Sequence, residues 1–211
     1  MPRTGTAVAT AVNPLEAALR RLASDLNAHG QRWAIVGGLA VGARAEPRTT
    51  RDVDVAVAVA NDAEAERLVH MLQRIGYRVW AVVEHEATRR LATARLSAPG
   101  EDSAGIVVDL LFASSGIEPE TIAAAEALEI VPGLVVPVAG VAHLLALKVL
   151  ARDDRHRPQD WDDIRALLRE CEAHDLDQAR TALRLIAERG YHRGKRLLDE
   201  LQEIIRDIAT A

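Results

Sequence analysis

Two aspartates interrupt a run of valines in RDVDVAVAV, residues 51–59. The alternation predicts a β-strand, in which residues i and i+2 point to the same face about 6.5–7 Å apart. Asp52 and Asp54 would therefore project together, while Val53 and Val55 face the opposite way. Two carboxylates on one face repel each other unless a cation lies between them. This spacing favours a divalent metal such as Mg²⁺, a hard cation that prefers carboxylate oxygens.

A third carboxylate stands alone in an apolar segment further along the chain. Asp109 is the only charge in IVVDLLF, residues 106–112, which has the composition of a buried strand. A buried carboxylate without a partner is costly, so it becomes protonated or paired. If this strand lies near that of Asp52 and Asp54, the three aspartates can share metal ions. We expect Mg²⁺ there, with Mn²⁺ as the alternative.

A pair of glycines supplies a second kind of site. Gly37 and Gly38 directly follow the apolar segment WAIV and open a short helix. Glycines at such a turn let the backbone approach a phosphate group, which the N–H groups and the helix dipole favour. In the loop before Asp52, the residues Arg48, Thr50 and Arg51 either contact a phosphate or only shape the loop.

The order of the elements predicts the architecture that must position these residues. A helix is expected over 14–28, followed by strands near residues 33, 52, 78, 91 and 107 and by a hairpin that turns at Pro132-Gly133. From residue 141 onward the pattern is helical. We therefore predict an α/β fold with a mixed sheet: a sheet domain with its N-terminal helix over 1–138 and a helical C-terminal domain over 139–211.

Composition limits the cellular setting and the partners. The 211 residues are 49% hydrophobic and 3% aromatic, so the core must consist of Ala, Val, Leu and Ile. No segment has the ~18 apolar residues of a membrane span, and the single cysteine, Cys171, fits a reducing cytoplasm. We expect a cytoplasmic protein without a membrane partner. At a net charge of -5, a nucleic acid would have to meet a local basic patch.

The three motifs together resemble the DNA polymerase β-like nucleotidyltransferases. In that superfamily an hG[GS] turn is followed by Dh[DE]h and by a later strand carboxylate; here they read VGG, DVDV and VVDLL. More narrowly, GGLAV, PRTTRDVD, LLALKVL and RPQDWDDI look like the AbiEii/MenT type of toxin. Many relatives have Ser after the first glycine, where this chain has Gly38, so a hydroxyl contact to the triphosphate is missing.

The resemblance implies a reaction and further site residues. It implies Mg²⁺-dependent transfer of a nucleotide from an NTP, in some members to the 3′ end of tRNA, and a cognate antitoxin. It assigns phosphate binding to Gly37 and Gly38 and metal binding to Asp52, Asp54 and Asp109. It also adds Lys148, Asp160 and Asp163 to the catalytic set. The alternatives are that Lys148 snorkels on an apolar helix and that Asp160 caps a helix.

Three hypotheses about the acceptor remain open at this stage. For tRNA, the basic segment RLIAERGYHRGKR would follow the phosphate backbone with Tyr191 available for stacking, or would be only a solvated helical face. A small hydroxylated molecule, as in antibiotic-modifying nucleotidyltransferases, suits an acidic chain nearly as well. A catalytically silent binding module is disfavoured by the three intact aspartates. The predicted RNA-binding residues are Arg189, Arg193, Lys195 and Arg196.

Overall fold

The computed structural model describes residues 13–47, 49–100, 105–156 and 158–210. Within them, seven strands form one sheet: β1 (Trp33–Ile35), β2 (Asp52–Val57), β3 (Arg78–Glu84), β4 (Leu91–Ser97), β5 (Val107–Leu111), β6 (Glu126–Val131) and β7 (Leu134–Val138). The helices are α1 (Pro14–Ala28), α2 (Gly37–Arg44), α3 (Asp62–Arg74), α4 (Glu118–Ala123), α5 (Val141–Ala151), α6 (Gln159–Glu170), α7 (Ala173–Glu188) and α8 (Leu197–Thr210).

The sheet is mixed, with the strand order β3-β4-β5-β2-β1-β7-β6. β2 lies near its centre, antiparallel to β1 and parallel to β5. β3 and β6 are the two edges. The prediction of an α/β fold with a mixed sheet is confirmed, and all seven strands precede the four helices α5 to α8.

Local sequence signals explain where the first and third helices begin. The side chain of Asn13 accepts a hydrogen bond from the backbone N–H of Leu15, with Pro14 in the first turn, so α1 begins where the sequence predicts. Asn61 caps α3 in the same way through the N–H of Glu64. Each helix then turns an apolar face inward, because burial of that face stabilises it more than intrinsic propensity does.

Two features of the fold were not predicted from the sequence. α4 has only six residues, too few for helical periodicity to be visible. Arg44, in the last turn of α2, donates hydrogen bonds to the carbonyls of Val138 and Ala139 at the end of β7. Arg44 thereby fixes α2, which begins at Gly37, against the sheet. No helix in the described ranges combines the length and apolarity needed to cross a bilayer.

Candidate active site

A cavity of ≈ 720 Å³ opens on the face of the sheet that carries the aspartates. Its wall brings together most of the predicted site residues: Gly37, Gly38, Thr50, Arg51, Asp52, Asp54, Asp109, Lys148 and Arg193. The remaining nucleotide-binding prediction, Arg48, lies outside the described residues. Phosphate-binding and metal-binding candidates that are far apart in the sequence therefore face one cavity.

The strand register explains how the three aspartates meet. β2 and β5 run parallel, and Asp54 lies opposite Asp109, while Asp52 lies opposite Val107. Because side chains alternate along a strand, all three carboxylates point to the same face. The opposite face carries Val53, Val55 and other fully buried residues of the core.

Gly37 lies against Asp54 so closely that no side chain would fit. Its φ is +62°, and a Cβ added there would lie 2.0 Å from Oδ2 of Asp54. The N–H of Val36 also donates a hydrogen bond of 2.9 Å to the carbonyl of Asp54. The glycine turn and the aspartate strand thus form one rigid unit, and glycine is required here for both its conformation and its size.

Asp109 has a partner that the sequence analysis missed. Arg95 lies opposite it on β4 and donates two hydrogen bonds to its carboxylate, from Nε at 2.9 Å and from a terminal nitrogen at 2.7 Å. Asp109 is buried, whereas the side chain of Arg95 is 53% exposed. The hydrogen bonds and charge of Asp109 raise the pKa of the Arg95 guanidinium, with smaller contributions from Asp52 and Asp54.

The donor set fits a hard divalent cation, since three carboxylates share one face and one cavity. In the described part of the chain, however, no three His, Cys, Asp or Glu side chains are close enough together to hold a metal ion. Both oxygens of Asp109 accept hydrogen bonds from Arg95. Asp52 is exposed and Asp54 half-buried, whereas Asp109 is buried.

Lys148 belongs to a buried cluster with Asp160 and Asp163. Its Nζ lies 2.8 Å from Oδ1 of Asp160 and 2.7 Å from Oδ2 of Asp163, and all three side chains are buried. Lys148 reaches the cavity wall, while the two aspartates lie behind it on α6. The alternative placed Asp160 as the cap of an acidic first turn; Asp160 does lie in the acidic first turn of α6, but Pro158 occupies the cap position. The alternative of a snorkelling Lys148 is also wrong, because its ammonium group is buried.

Comparison with known proteins assigns the family. Residues 18–210 match the family described as nucleotidyl transferase AbiEii toxin, type IV TA system. The chain belongs to the AbiEii nucleotidyltransferase family. No curated protein sequence matches the chain.

Solved structures that resemble this AbiEii-family chain are nucleotidyltransferases. ANT(2")-Ia, solved with adenylyl-2"-tobramycin, is 17% identical over 80% of this chain and 95% of its own, with a TM-score of 0.53. A nucleotidyltransferase-like antigen from Paracoccidioides brasiliensis is also 17% identical, over 84% of this chain and 88% of its own, with a TM-score of 0.53. These similarities show the nucleotidyltransferase fold.

In this member of the AbiEii family, the basic segment near residue 190 is largely engaged within the protein. Arg189 donates hydrogen bonds to both carboxylate oxygens of Glu120. Lys195 donates to the carbonyls of Val149 and Arg152 at the end of α5. Arg196, 83% exposed, pairs with Asp199. Only Arg193 of the four residues lines the cavity.

The expectation that Tyr191 stacks on a base is wrong. The ring is buried, with its centroid 4.5 Å from that of His85, and a Cβ on Gly116 would lie 2.4 Å from its Cδ2. Tyr191 therefore packs inside the protein and offers no face to a nucleic acid. In a sequence, a tyrosine beside arginines is compatible with base stacking or with core packing, and only the three-dimensional structure distinguishes the two.

The loop that follows β5 adds residues that the sequence analysis did not single out. Ser114 and Ser115 line the cavity, and Arg193 donates a hydrogen bond of 3.1 Å to the carbonyl of Ser114. Buried Glu118 holds the loop, because its Oε1 accepts hydrogen bonds from the N–H groups of Ser114 and Ser115 and from the Ser115 hydroxyl. Burial raises the pKa of Glu118, although these hydrogen bonds oppose the shift.

Proposed function

We propose that the chain transfers a nucleotide from an NTP to the 3′ end of tRNA, as the toxin of a toxin–antitoxin pair. One observation carries the proposal: Asp52, Asp54 and Asp109 share one face of the sheet, and the Gly37-Gly38 turn lies on the wall of the same cavity. The AbiEii family assignment supports nucleotidyl transfer and an antitoxin partner.

The chemistry is a displacement at the α-phosphorus of the NTP. The acceptor hydroxyl oxygen forms a bond to the α-phosphorus, the bond to the bridging oxygen breaks, and pyrophosphate leaves with that electron pair. Once Arg95 releases its two oxygens, Asp109 would take the hydroxyl proton and add a ligand to a metal held by Asp52 and Asp54. When bound by Asp52 and Asp54, Mg²⁺ or Mn²⁺ would offset the negative charge of the triphosphate and lower the pKa of the attacking hydroxyl.

The remaining cavity residues bind and orient the triphosphate. The Gly37-Gly38 turn offers backbone N–H groups at the beginning of α2. Thr50 and Arg51 lie on the same wall, where they would contact phosphate oxygens. We assign the same role to Arg48 from its place in the sequence. Asp160 and Asp163 hold Lys148 in place, so we assign them a positioning role.

A second candidate acceptor is a small hydroxylated molecule. The fold similarity to ANT(2")-Ia and the net charge of -5 favour it, because an acidic protein attracts cationic acceptors. The two candidates are separated by offering each α-labelled NTP with purified tRNA or with tobramycin. The proposal is supported if the native protein labels tRNA and Asp54→Asn does not. It is contradicted if only tobramycin is labelled.

As a toxin, the native chain should stop bacterial growth when expressed alone, and Asp54→Asn should not.

A further inference from the structure

One aromatic side chain is exposed although the rest are packed in the protein. Trp80 is 67% exposed. Trp161 lies beneath the guanidinium of Arg152 at 4.7 Å, and the other aromatic residues are buried: Trp33, Tyr77, Phe112 and Tyr191. In a chain with only 3% aromatic residues, an indole left in water at the edge of the sheet has no role in the core.

A β-bulge places Trp80 on the face that carries the candidate active site. Val79 pairs with Leu96 and Ala81 with Arg95, so Trp80 is the extra residue. Arg78 pairs with Ser97, two residues from Arg95 and hence on the same face. The guanidinium of Arg78 lies 5.7 Å from the centroid of the Trp80 ring, which puts the indole on that face too.

The surface around Trp80 is continuous with the cavity. Ala81 and Val83 of β3 line the cavity beside Arg95 and Asp109. A nucleic-acid strand that approached Asp109 from this edge of the sheet would pass over Trp80 and Arg78. The indole supplies a flat apolar face and Arg78 supplies positive charge, which is the combination that binds single-stranded nucleic acid; the charge of Arg95 is paired with Asp109.

We propose that Trp80 and Arg78 form a subsite for the single-stranded end of an RNA acceptor, with a base stacked on the indole and a phosphate beside Arg78. This subsite rests on the proposed transfer to RNA and names the surface that receives the acceptor. It takes the place of the segment near Tyr191, whose ring is buried. At this edge of the sheet, charge complementarity favours RNA, because Arg78 attracts a phosphate group and repels a polycationic small molecule.

Equilibrium binding of a short 5′-labelled single-stranded oligoribonucleotide, measured by fluorescence anisotropy without NTP or metal, tests the subsite. Trp80→Ala should weaken binding roughly 5- to 100-fold, because one stacked base is lost. Trp80→Phe should retain most of the affinity. Arg78→Gln should lower the slope of log affinity against log salt by about one phosphate contact. NTP affinity should be unchanged in all three variants.

Val135→Ala is the matched control, since Val135 is 60% exposed on β7, which lies next to β6 at the opposite edge of the sheet. Equal RNA affinity for native protein and Trp80→Ala overturns the subsite. So does self-association of the native protein in sedimentation that Trp80→Ala abolishes with no change in RNA affinity, which would make β3 a self-association edge. If tRNA is labelled equally well by Trp80→Ala, the subsite fails and the proposed function stands. If RNA binds through Trp80 but no nucleotide is transferred, the proposed nucleotidyl transfer is contradicted and the RNA-binding subsite is supported.

Discussion

Gly37 and Asp54 are in such close contact that an added methyl group on the glycine would overlap the carboxylate of the aspartate, with only 2.0 Å between Cβ and Oδ2. The contact joins the Gly37-Gly38 turn, which we propose binds phosphate, to the strand that carries Asp52 and Asp54. Any change that displaces one of them must therefore displace the other.

Gly37→Ala should consequently abolish nucleotidyl transfer. The variant meets two costs: about 1–2 kcal/mol for a side chain at positive φ, and the displacement of Asp54. Gly30→Ala is the control, because Gly30 has φ +64° and open space around its Cβ position. In urea unfolding Gly30→Ala should lose only the positive-φ increment of stability and Gly37→Ala should lose more, and only Gly37→Ala should lose NTP binding. If Gly30→Ala were equally inactive, the Asp54 contact would not be the cause.

The Lys148 cluster should dominate the stability of the contact between α5 and α6. Lys148→Ala leaves two buried carboxylates without their cation and should cost about 3–5 kcal/mol. The triple variant Lys148→Met, Asp160→Asn, Asp163→Asn should recover most of this loss. Asp162→Asn is the control, since Asp162 is exposed on the same helix and should change stability by less than about 0.5 kcal/mol. A triple variant as unstable as Lys148→Ala would refute the ion-pair explanation.

Arg95 should compete with divalent metal for Asp109. Without NTP, Arg95→Gln should tighten Mn²⁺ binding roughly fivefold, since a half-exposed ion pair is worth about 1 kcal/mol. Isothermal titration with Mn²⁺ measures this directly. Arg51→Gln is the matched control, because it removes an equal charge from the cavity wall and leaves the Arg95–Asp109 pair intact. Equal tightening in both variants would assign the effect to general electrostatics.

Sequence patterns predict those parts of the site that depend on local order. The DVDV strand follows from alternation, the glycine turn from its place between an apolar segment and a short helix, and Asp109 from its isolation in an apolar segment. The structure brings all three to one cavity. Arg95 was missed because its pairing with Asp109 depends on the register of β4 and β5. Like Asp109, Arg95 is the one charged residue of its strand, although Thr93 and Ser97 make that strand less apolar. Tyr191 was misassigned because the residues that bury it are distant in sequence: His85 lies about a hundred positions away and Gly116 about seventy-five.

The pH dependence of stability should report on His143. Burial lowers its pKa below the ordinary value of 6.5, opposed by the charge of Glu120. A histidine with a depressed native pKa contributes stability above about pH 6.5 that is lost as the pH falls towards the native value, because the unfolded chain binds the proton first. His143→Gln should therefore flatten the decline in unfolding free energy between pH 7 and 5. If unfolding free energy falls equally with pH in the native protein and in His143→Gln, His143 is not the origin of the decline.

The position of the transferred label tests nucleotidyl transfer most directly. Native protein, Asp54→Asn and the exposed-surface control Asp207→Asn are each incubated with tRNA, Mg²⁺ and the same NTP labelled at the α- or the γ-phosphate. The proposed reaction predicts α-label in the tRNA, γ-label only in released pyrophosphate, full activity of Asp207→Asn and none of a folded Asp54→Asn. Transfer of the γ-label to any acceptor, or undiminished transfer by Asp54→Asn, would contradict it.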